Sequence, residues 1–352
     1  MLGSGFGGLE KLFLDEIEML VQAGMPARGL IRRNSPLASH ARSRNLPSDD
    51  IPVLSDWDPL SIVLAKRTIR RYSPALLMCV GRSAHRLLAR AAGTRIPIVV
   101  IVQKRRFDRH LPYAAVLAAA EHRRRTLIED GVPPEKIAVI PNAVRLPAVP
   151  KAHYQLNPQS ALKIVALGRL HPKKGFGVLI EAISLLRRSG VGCRCVIAGE
   201  GPERPAILAQ IERHGLADQI RLPGWTDEVA KFVADGDIFV LPSFQEDFPL
   251  AILDAMASGM PIVASAIDGP KDFLKDGETA LLVPPNEPQA LARALEHLCR
   301  DAELRERLGR AARVAAANSY GFDTIGARLS TTLRNVLAGR SIASPATINP
   351  VE

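Results

Sequence analysis

Short apolar runs alternate with amphipathic stretches of helix length through the second half of the chain, and this alternation constrains the fold more than any other feature. The apolar runs have the length of buried strands and are residues 164–167, 193–198, 238–241, 261–264 and 280–283. The amphipathic stretches between them are residues 176–188, 203–214, 248–257 and 288–299. Wholly apolar strands separated by helices are typical of a parallel sheet covered by helices. We therefore predict an α/β fold.

The first half shows the same alternation less regularly, with a predicted helix at 10–23 and strands at 75–80 and 96–102. An apolar run at 137–141 leads into NAVRLPAVPKAHYQLNPQS, which is rich in Pro and polar residues and is typical of a linker. A length of 352 residues suffices for about two domains. The predicted division is a first domain, a second domain and a tail, at residues 1–150, 151–338 and 339–352.

Each predicted strand of the second half ends in a turn rich in Gly, Pro or charged residues: GRLHPKKG, GEGPER, PSFQEDFP and SAIDGP. Ligands of open α/β sheets bind outside the carboxyl ends of the strands, where these turns lie. In GEGPER, Gly199 and Gly201 allow the backbone to approach a ligand closely. The turns are therefore the predicted binding region.

The turn GRLHPKKG joins an apolar strand to a predicted helix that starts near Gly175. Gly168 allows a tight turn, and Arg169 and Lys174 flank the amino end of the helix. Free backbone N–H groups, the positive end of a helix and two cations together favour a diphosphate. A basic loop that is simply solvated is the alternative interpretation.

The segment LPSFQEDFPLAILDAMASGMPIVAS carries two carboxylates at a defined spacing. Glu246 precedes a predicted helix in which Pro249 suits the first turn, and Asp254 follows eight residues after Glu246. Because the helix over 248–254 spans about 9 Å, one carboxylate can bind sugar hydroxyls while the other binds a ribose diol.

The amino end of this predicted helix offers hydrogen-bond donors between the two carboxylates. The N–H groups of Phe248 and Leu250 would point at the phosphates of a ligand. In the alternative interpretation, Glu246 and Asp247 only cap the helix and favour its positive end.

Taken in order, GRLHPKKG, GEGPE, the E-x7-D segment and the Gly269-Pro270 turn resemble the donor-binding domain of family 4 retaining glycosyltransferases. The resemblance covers residues 160–315 and extends to bacterial lipopolysaccharide core and polysaccharide glycosyltransferases. It is weaker in the first half, where GFGGLEK and DGVPPEKIAVIPNAV carry it. It implies the GT-B fold: two Rossmann-like domains with a cleft between them, and a terminal helix at 320–337 that crosses back to the first domain.

The resemblance also implies a reaction and the residues that perform it. A glycosyl group would move from a UDP- or GDP-type sugar to a glycan or glycolipid, with retention of configuration and with neither metal nor cofactor. Arg169 and Lys174 would bind the donor diphosphate, Glu246 the transferred sugar and Asp254 the ribose, and the first three are the predicted catalytic residues. The departing diphosphate gains negative charge, which preorganised cations stabilise in the transition state.

This sequence departs from the family pattern at three places. Asp254 stands where the family usually has Glu, and Gln103 stands where many relatives have His. Gly7 and Gly8 would form the loop that faces the donor phosphates, but the family's first strand, which precedes this loop, is missing. Either the start of this sequence is too late and the strand lies upstream, or the protein lacks this strand. A relative that binds a glycan or a partner without catalysis is the alternative function.

Two spacings are typical of other enzyme classes. Gly3, Gly5 and Gly8 have the G-x-G-x-x-G spacing of nicotinamide-dependent oxidoreductases, but no strand precedes them. D-x-D pairs, which metal-dependent transferases use, occur at 56–58 and 235–237, and we interpret both as caps or turns.

The formal net charge of +10 is confined to the first half. Residues 1–150 contain 23 Lys and Arg against 13 Asp and Glu, whereas residues 151–352 contain 23 of each. A predicted acceptor-side basic cluster follows the strand at 96–102 and consists of Lys104, Arg105, Arg106 and Arg109. We expect it to face an anionic glycan, glycolipid or lipid surface. Nucleic acid is not an expected partner, because no binding motif or aromatic interleaving accompanies the charge.

Composition and cysteine spacing also indicate the class of protein and its cellular compartment. At 47% hydrophobic and 23% charged residues, the chain is typical of globular proteins and not of disordered, collagenous or coiled-coil ones. Its four cysteines lack paired spacing, which predicts reduced thiols and no zinc site. No signal-peptide pattern and no apolar run of about 18 residues occurs. We therefore predict a cytoplasmic protein, peripheral at most at the inner face of the cytoplasmic membrane.

Overall fold

The computed structural model describes residues 7–53, 55–93, 95–102, 108–147 and 161–342. The chain divides into two compact units. The described parts of Met1–Ala143 and Phe322–Asn349 form the first unit, and those of Val144–Gly321 form the second. The boundary predicted near residue 150 and the tail beyond Ile342 lie outside the described residues. So do the residues before Gly7, which were predicted to begin within a loop and without the family's first strand.

The first unit is built on short parallel strands. They are β1 (Gly29–Arg32), β2 (Ser48–Ile51), β3 (Leu77–Val80), β4 (Ile98–Val102), β5 (Ala115–Ala118) and β6 (Ile137–Val139). The first two pair with each other, and the other four form a sheet in chain order. All five residues of β4 are buried, as its uniformly apolar sequence predicts for a strand covered on both faces.

Helices cover both faces of these strands. They are α1 (Gly8–Gln22), α2 (Pro36–Ser43), α3 (Pro59–Tyr72), α4 (Arg82–Ala92) and α5 (Glu121–Glu129). One core layer joins Ile31 of β1 and Val80 of β3 to Leu14 of α1, and the other joins Ile51 of β2 to Leu87 of α4. Because both core layers span both groups of strands, the two sheets belong to one hydrophobic unit.

The second unit is built on one six-stranded parallel sheet. Its strands are β7 (Leu162–Leu167), β8 (Cys193–Ala198), β9 (Ile220–Gly224), β10 (Ile238–Leu241), β11 (Ile262–Ser265) and β12 (Leu281–Val283). Their order across the sheet is β12-β11-β10-β7-β8-β9, which places β10 directly beside β7. The predicted parallel sheet covered by helices is confirmed in this half.

Helices again lie on both faces of this sheet. They are α6 (Phe176–Arg188), α7 (Arg204–Arg213), α8 (Val229–Ala234), α9 (Leu250–Ala257), α10 (Pro288–Arg300) and α11 (Ala302–Tyr320). On one face, Ile164, Cys195 and Val240 pack against Leu179 of α6 and Leu295 of α10. On the other face, α9 contacts α8 and α11. The sheet interior is therefore fully covered, and a ligand can reach it only at its ends.

The last helix, α12 (Phe322–Leu337), belongs to the first unit. It packs on α1, where Gly326 lies against Met19, and Leu329 and Leu333 are buried in the core that α1 shares with β1 and β3. Arg328 donates a 2.9 Å hydrogen bond to the carbonyl of Val139. The return of a terminal helix to the first unit follows the predicted fold. The predicted domain division, in contrast, placed this helix in the second domain, which it ended at residue 338.

All four cysteines are free thiols, and three of them are buried. Burial raises the pKa of the Cys79 and Cys193 thiols to about 12 and that of Cys299 to about 11. These thiols therefore stay protonated at neutral pH and pack as small apolar groups.

Candidate functional site

Four loops meet at the carboxyl edge of the second sheet. They follow β7, β8, β10 and β11 and comprise residues 168–175, 199–203, 242–249 and 266–270, which we call the four-loop edge. Backbone hydrogen bonds connect them: Phe244 donates to the carbonyl of Lys173 over 2.8 Å, and Leu170 donates to that of Glu200 over 2.9 Å. The predicted binding turns therefore form one connected surface.

Glycines let these loops approach one another. Gly175 has a φ of +64°, and a Cβ there would overlap the carbonyl oxygen of Pro242. Gly269 has a φ of +88°, and a Cβ there would lie 2.7 Å from the carbonyl oxygen of Asp247. Both positions require glycine for conformation and for space. The loop after β10 is thus held between the loops after β7 and β11.

Gly199 and Gly201 have the same effect on the loop after β8. Their α-carbons lie so close to the carbonyl oxygens of Gly168 and Leu170 that an added Cβ would overlap those oxygens. These glycines thus let the β8 loop pack closely on the β7 loop, and the predicted close approach to a ligand stays a prediction.

A charged pair forms the centre of the four-loop edge. The Nζ of Lys174 lies 2.5 Å from Oε1 of Glu246, and the side chains are 25% and 9% exposed. The Oγ of Ser243, a fully buried serine, donates to the same carboxylate oxygen over 2.7 Å. The stem of Lys174 lies against Gly168, on the way from the β7 loop to the β10 loop. An ammonium has three donors, and the pair with Glu246 uses one of them.

Arg169 stands in the same loop as Lys174. Its side chain is exposed, and it makes no ion pair with any residue in the described part of the chain. The loop between them contains the short 3-10 turn Pro172–Lys174, capped by the imidazole Nδ1 of His171, which accepts from the N–H of Lys173. One loop with a capped turn therefore presents both cations that the sequence predicted.

The helix predicted over 248–257 begins at Leu250, so the prediction that Phe248 lies within it was wrong. A residue before proline is disfavoured in the helical region, which keeps Phe248 out of the helix and leaves Pro249 as an extended N-cap. The Phe248 ring is buried instead, stacked on Phe273 with centroids 4.7 Å apart and edge-on to Tyr320. Asp254 is the fifth residue of α9 and is 7% exposed.

Trp225 is a site candidate that the sequence analysis missed. It directly follows β9 at the carboxyl end of the edge strand, and it is 58% exposed. Its indole Nε1 donates a 2.8 Å hydrogen bond to Asp227, which fixes the ring. The sequence signal was a tryptophan directly after a glycine that ends a strand. It was missed because β9 itself was not recognised.

Residues 152–315 match the family described as Glycosyl transferases group 1. The whole four-loop edge lies within this match. The chain carries a group 1 glycosyl transferase domain.

Two relatives of this transferase domain differ in how much of the chain they match. An alpha-D-kanosaminyltransferase of Streptomyces kanamyceticus is 34% identical over 175 residues, which are 49% of this chain and 45% of that protein. The lipopolysaccharide core biosynthesis glycosyltransferase LpsE of Rhizobium meliloti is 29% identical over 317 residues, 86% of this chain and 88% of that protein. The chain spans about half the length of several of the relatives it matches.

The structure of Anabaena Alr3699/HepE in complex with UDP and glucose has the same fold. Its TM-score is 0.80 at 18% identity, over 95% of this chain and 98% of that one. The predicted GT-B fold with two Rossmann-like sheets is thereby confirmed.

The remaining predicted site residues lie outside the transferase domain. Gly7 is the extended N-cap of α1 and Gly8 is its first residue, both in the first unit. Arg109 is exposed, and its guanidinium donates to the carbonyl of Asp130 at the end of α5. The other members of the basic cluster, Lys104, Arg105 and Arg106, lie outside the described residues, as does Gln103.

One aspartate of each D-x-D pair has a structural role, and that of Asp58 is the predicted cap. Asp58 caps α3 by accepting from the N–H of Ser61 over 2.7 Å, and the hydrogen bond from the Ser61 hydroxyl, followed by that from the N–H, lowers the pKa of its carboxyl. Asp237 accepts from the N–H of Lys163 over 2.8 Å at the amino ends of β10 and β7, opposite the four-loop edge. In the part of the chain that the structure describes, no three His, Cys, Asp or Glu residues are grouped as metal ligands.

Proposed function

We propose that this protein transfers a glycosyl group from a nucleoside-diphosphate sugar to a hydroxyl of an anionic glycan or glycolipid, with retention of configuration. The observation that carries the proposal is the contact of Lys174 and Ser243 with Glu246, at the carboxyl edge of a group 1 glycosyl transferase domain. A buried carboxylate held beside a cation suits a ligand that has both hydroxyls and phosphates.

Arg169 and Lys174 bind the donor diphosphate in this proposal. The bond between the sugar and the diphosphate breaks during transfer, and the leaving diphosphate gains negative charge. Two cations on one loop with a capped turn are already in place when this charge develops, so they stabilise the transition state more than the ground state. They do the work that a divalent metal does in other transferases.

Glu246 binds hydroxyls of the transferred sugar. Its carboxylate accepts from Ser243 and Lys174, and it retains further lone pairs for sugar hydroxyls. Asp254, one methylene shorter than the family's usual Glu, binds the ribose. The exposed ring of Trp225 offers a stacking surface for the nucleobase.

The acceptor is an anionic glycan or glycolipid in this proposal. The relative LpsE is named for lipopolysaccharide core biosynthesis, and the basic excess of this chain falls in its first half. In the described residues no helix is both long and apolar enough to cross a bilayer. We place the protein in the cytoplasm, working at the inner face of the cytoplasmic membrane.

Calorimetric titration of the full chain with UDP, GDP and their sugars tests the donor site. One nucleotide series should bind, and K174A should weaken binding by about 10- to 100-fold, because it removes a charge-assisted contact. K173A is the matched control, since Lys173 is an exposed cation of the same turn. Binding of no nucleotide, or equal binding by K174A and K173A, would contradict the donor site.

Turnover and its stereochemistry are tested separately. Incubation of the donor that binds with candidate acceptors, followed by NMR of the anomeric proton of the product, should show the donor's own configuration. An inverted product would overturn the retaining mechanism while leaving glycosyl transfer standing. Donor binding without turnover on any acceptor would favour the non-catalytic alternative.

A further inference from the structure

The outward side of α3 combines large apolar side chains with cations. Leu60 and Val63, in its first two turns, are 54% and 59% exposed, and Trp57, just before its cap, is 61% exposed. Exposed apolar side chains of this size are rarely grouped on a soluble surface without a binding role. No residue of this helix belongs to the four-loop edge.

The cations lie further along the same side of α3. The inward side of α3 is Ser61, Ala65 and Ile69, which are buried where α3 packs on α4. On a helix of 3.6 residues per turn, the side opposite to these residues carries the exposed ones. We call these exposed residues of the helix, together with the exposed Trp57 that precedes it, the α3 face: Trp57, Leu60, Val63, Lys66, Arg67 and Arg70.

No Asp or Glu belongs to α3 itself. Residues 59–107 contain eleven Lys and Arg and not one Asp or Glu. Lys66, Arg67 and Arg70 make no ion pair with any described residue. Asp58, just before the helix, is already engaged as its N-cap with Ser61. The cations of the α3 face therefore have no acidic ion-pair partner among the described residues, whereas Asp56 and Asp58 flank Trp57 at its apolar end.

Trp57 is held in a position suited to an interface. The guanidinium of Arg90, on α4, lies 3.8 Å from the centre of its ring, and that of Arg86 lies 5.7 Å away. A tryptophan stacked on a cation keeps a fixed orientation and still offers its ring edge. Tryptophan and arginine together are enriched where a protein meets the head groups of a bilayer.

We propose that the α3 face docks on an anionic lipid surface, with Trp57, Leu60 and Val63 inserted among the head groups and Lys66, Arg67 and Arg70 on lipid phosphates. A helix with apolar and basic side chains on one face fits this partner, because both halves gain from the same surface. A nucleic acid would satisfy the cations but would leave the aliphatic end unused. The inference rests on the proposed work at the membrane and names the surface that docks there, but it uses no donor-site residue.

Sedimentation of the full chain with phosphatidylcholine vesicles, with and without phosphatidylglycerol, tests the proposal. We expect binding only to the anionic vesicles, weakened by salt. Each Lys or Arg near such a surface contributes about fivefold to partitioning, so R67Q/R70Q should bind about 25-fold more weakly. R188Q/R213Q is the matched control, because it removes two exposed cations from the second unit.

The apolar half has its own readout. In a W225F background Trp57 is the only tryptophan, and its emission should shift to the blue and be quenched by brominated lipids in anionic vesicles. Equal binding to neutral and anionic vesicles, equal binding by R67Q/R70Q and R188Q/R213Q, or an unchanged Trp57 spectrum would each overturn the proposal. Binding to RNA but not to vesicles would also overturn it. Donor titration of R67Q/R70Q should match the native protein, which separates this result from the donor site.

Discussion

Glu16 is an acidic residue buried in the first unit. It lies on α1 at 8% exposure, and its Oε2 is buried with no hydrogen-bond partner in the described structure. Burial, together with the neighbouring charge of Asp15, raises the pKa of the Glu16 carboxyl to about 8. The protein therefore folds with this carboxyl protonated at neutral pH.

This shift makes stability depend on pH in a defined direction. Between the ordinary pKa of 4.5 and about 8, the folded state holds a proton that the unfolded state has lost. The free energy of unfolding therefore falls as pH rises through this window. E16Q removes the ionisation, so it should match the native protein near pH 4.5 and exceed it by about 4 kcal/mol near pH 9.

Urea denaturation across this pH range measures the effect of E16Q. E10Q, on the same helix but at a partly exposed position, serves as the control and should follow the native curve. A native-like pH profile for E16Q would show that Glu16 is ionised in the folded protein.

Ser243 is a positioning residue for Glu246. It is fully buried and donates to Oε1 of Glu246 over 2.7 Å. S243A should lower kcat by about 10- to 100-fold, because the carboxylate loses one of the two contacts that orient it. Donor affinity should change little, since Arg169 and Lys174 remain.

A purely structural serine would behave differently. Ser258 is also buried in the second unit, at 3% exposure, and S258A should change the melting temperature but not the ratio of kcat to donor affinity. If S243A and S258A gave the same kinetic pattern, Ser243 would have no specific role toward Glu246.

At the scale of elements, the four-loop edge depends on glycine at the start of α6. G175A would place a Cβ against the Pro242 carbonyl and force a φ of +64° on a residue with a side chain. We expect a loss of about 2 to 4 kcal/mol in unfolding free energy, together with weaker donor binding.

The control for G175A is G192A. A Cβ at Gly192 would meet no atom within 4 Å, and Gly192 is not among the glycines with positive φ. Thermal denaturation should separate the two variants clearly. Equal stability of both would mean that the β7 and β10 loops tolerate separation.

Local pattern predicts some elements well and others poorly. The predicted limits of α6, β8 and β10 match the structure, because each is an uninterrupted helical or apolar run between clear turn signals. β9 was missed because its sequence IRLPG has few apolar residues and includes a proline, as an edge strand tolerates. α8 was missed because its six residues are too short to show a helical period.

At the scale of the whole molecule, the candidate site was predictable in its parts but not in its contacts. The turns with Arg169, Lys174 and Glu246 were identified from strand ends. The contact between Lys174 and Glu246 was not, because the two residues are 72 positions apart. The contact exists because β10 lies directly beside β7 in the sheet. A local sequence pattern does not predict the order of strands in a sheet.

Each unit has its own core, and this predicts separable unfolding. A chain ending at Gly321 keeps the whole matched domain, 152–315, but loses α12, so the core around Leu14 and Ile31 is opened. Calorimetry should show the first unit's transition lowered or lost, with the second unit's transition retained and still raised by the donor nucleotide.

A chain ending at Ile342 is the control for this truncation, since it removes only residues outside the described structure and should keep both transitions. Loss of all cooperative unfolding on ending the chain at Gly321 would mean that the two units do not fold separately.

The membership of α12 in the first unit also has a consequence for biosynthesis. About 300 residues separate Gln22 from Phe322, and the ribosome needs about 15 to 60 seconds to translate them. During that time the surface of α1 that packs on α12 stays uncovered, while the second unit has already been synthesised in full. The first unit is therefore the first to begin synthesis and the last to be completed. Until α12 is made, we expect a chaperone to bind the exposed apolar face of α1.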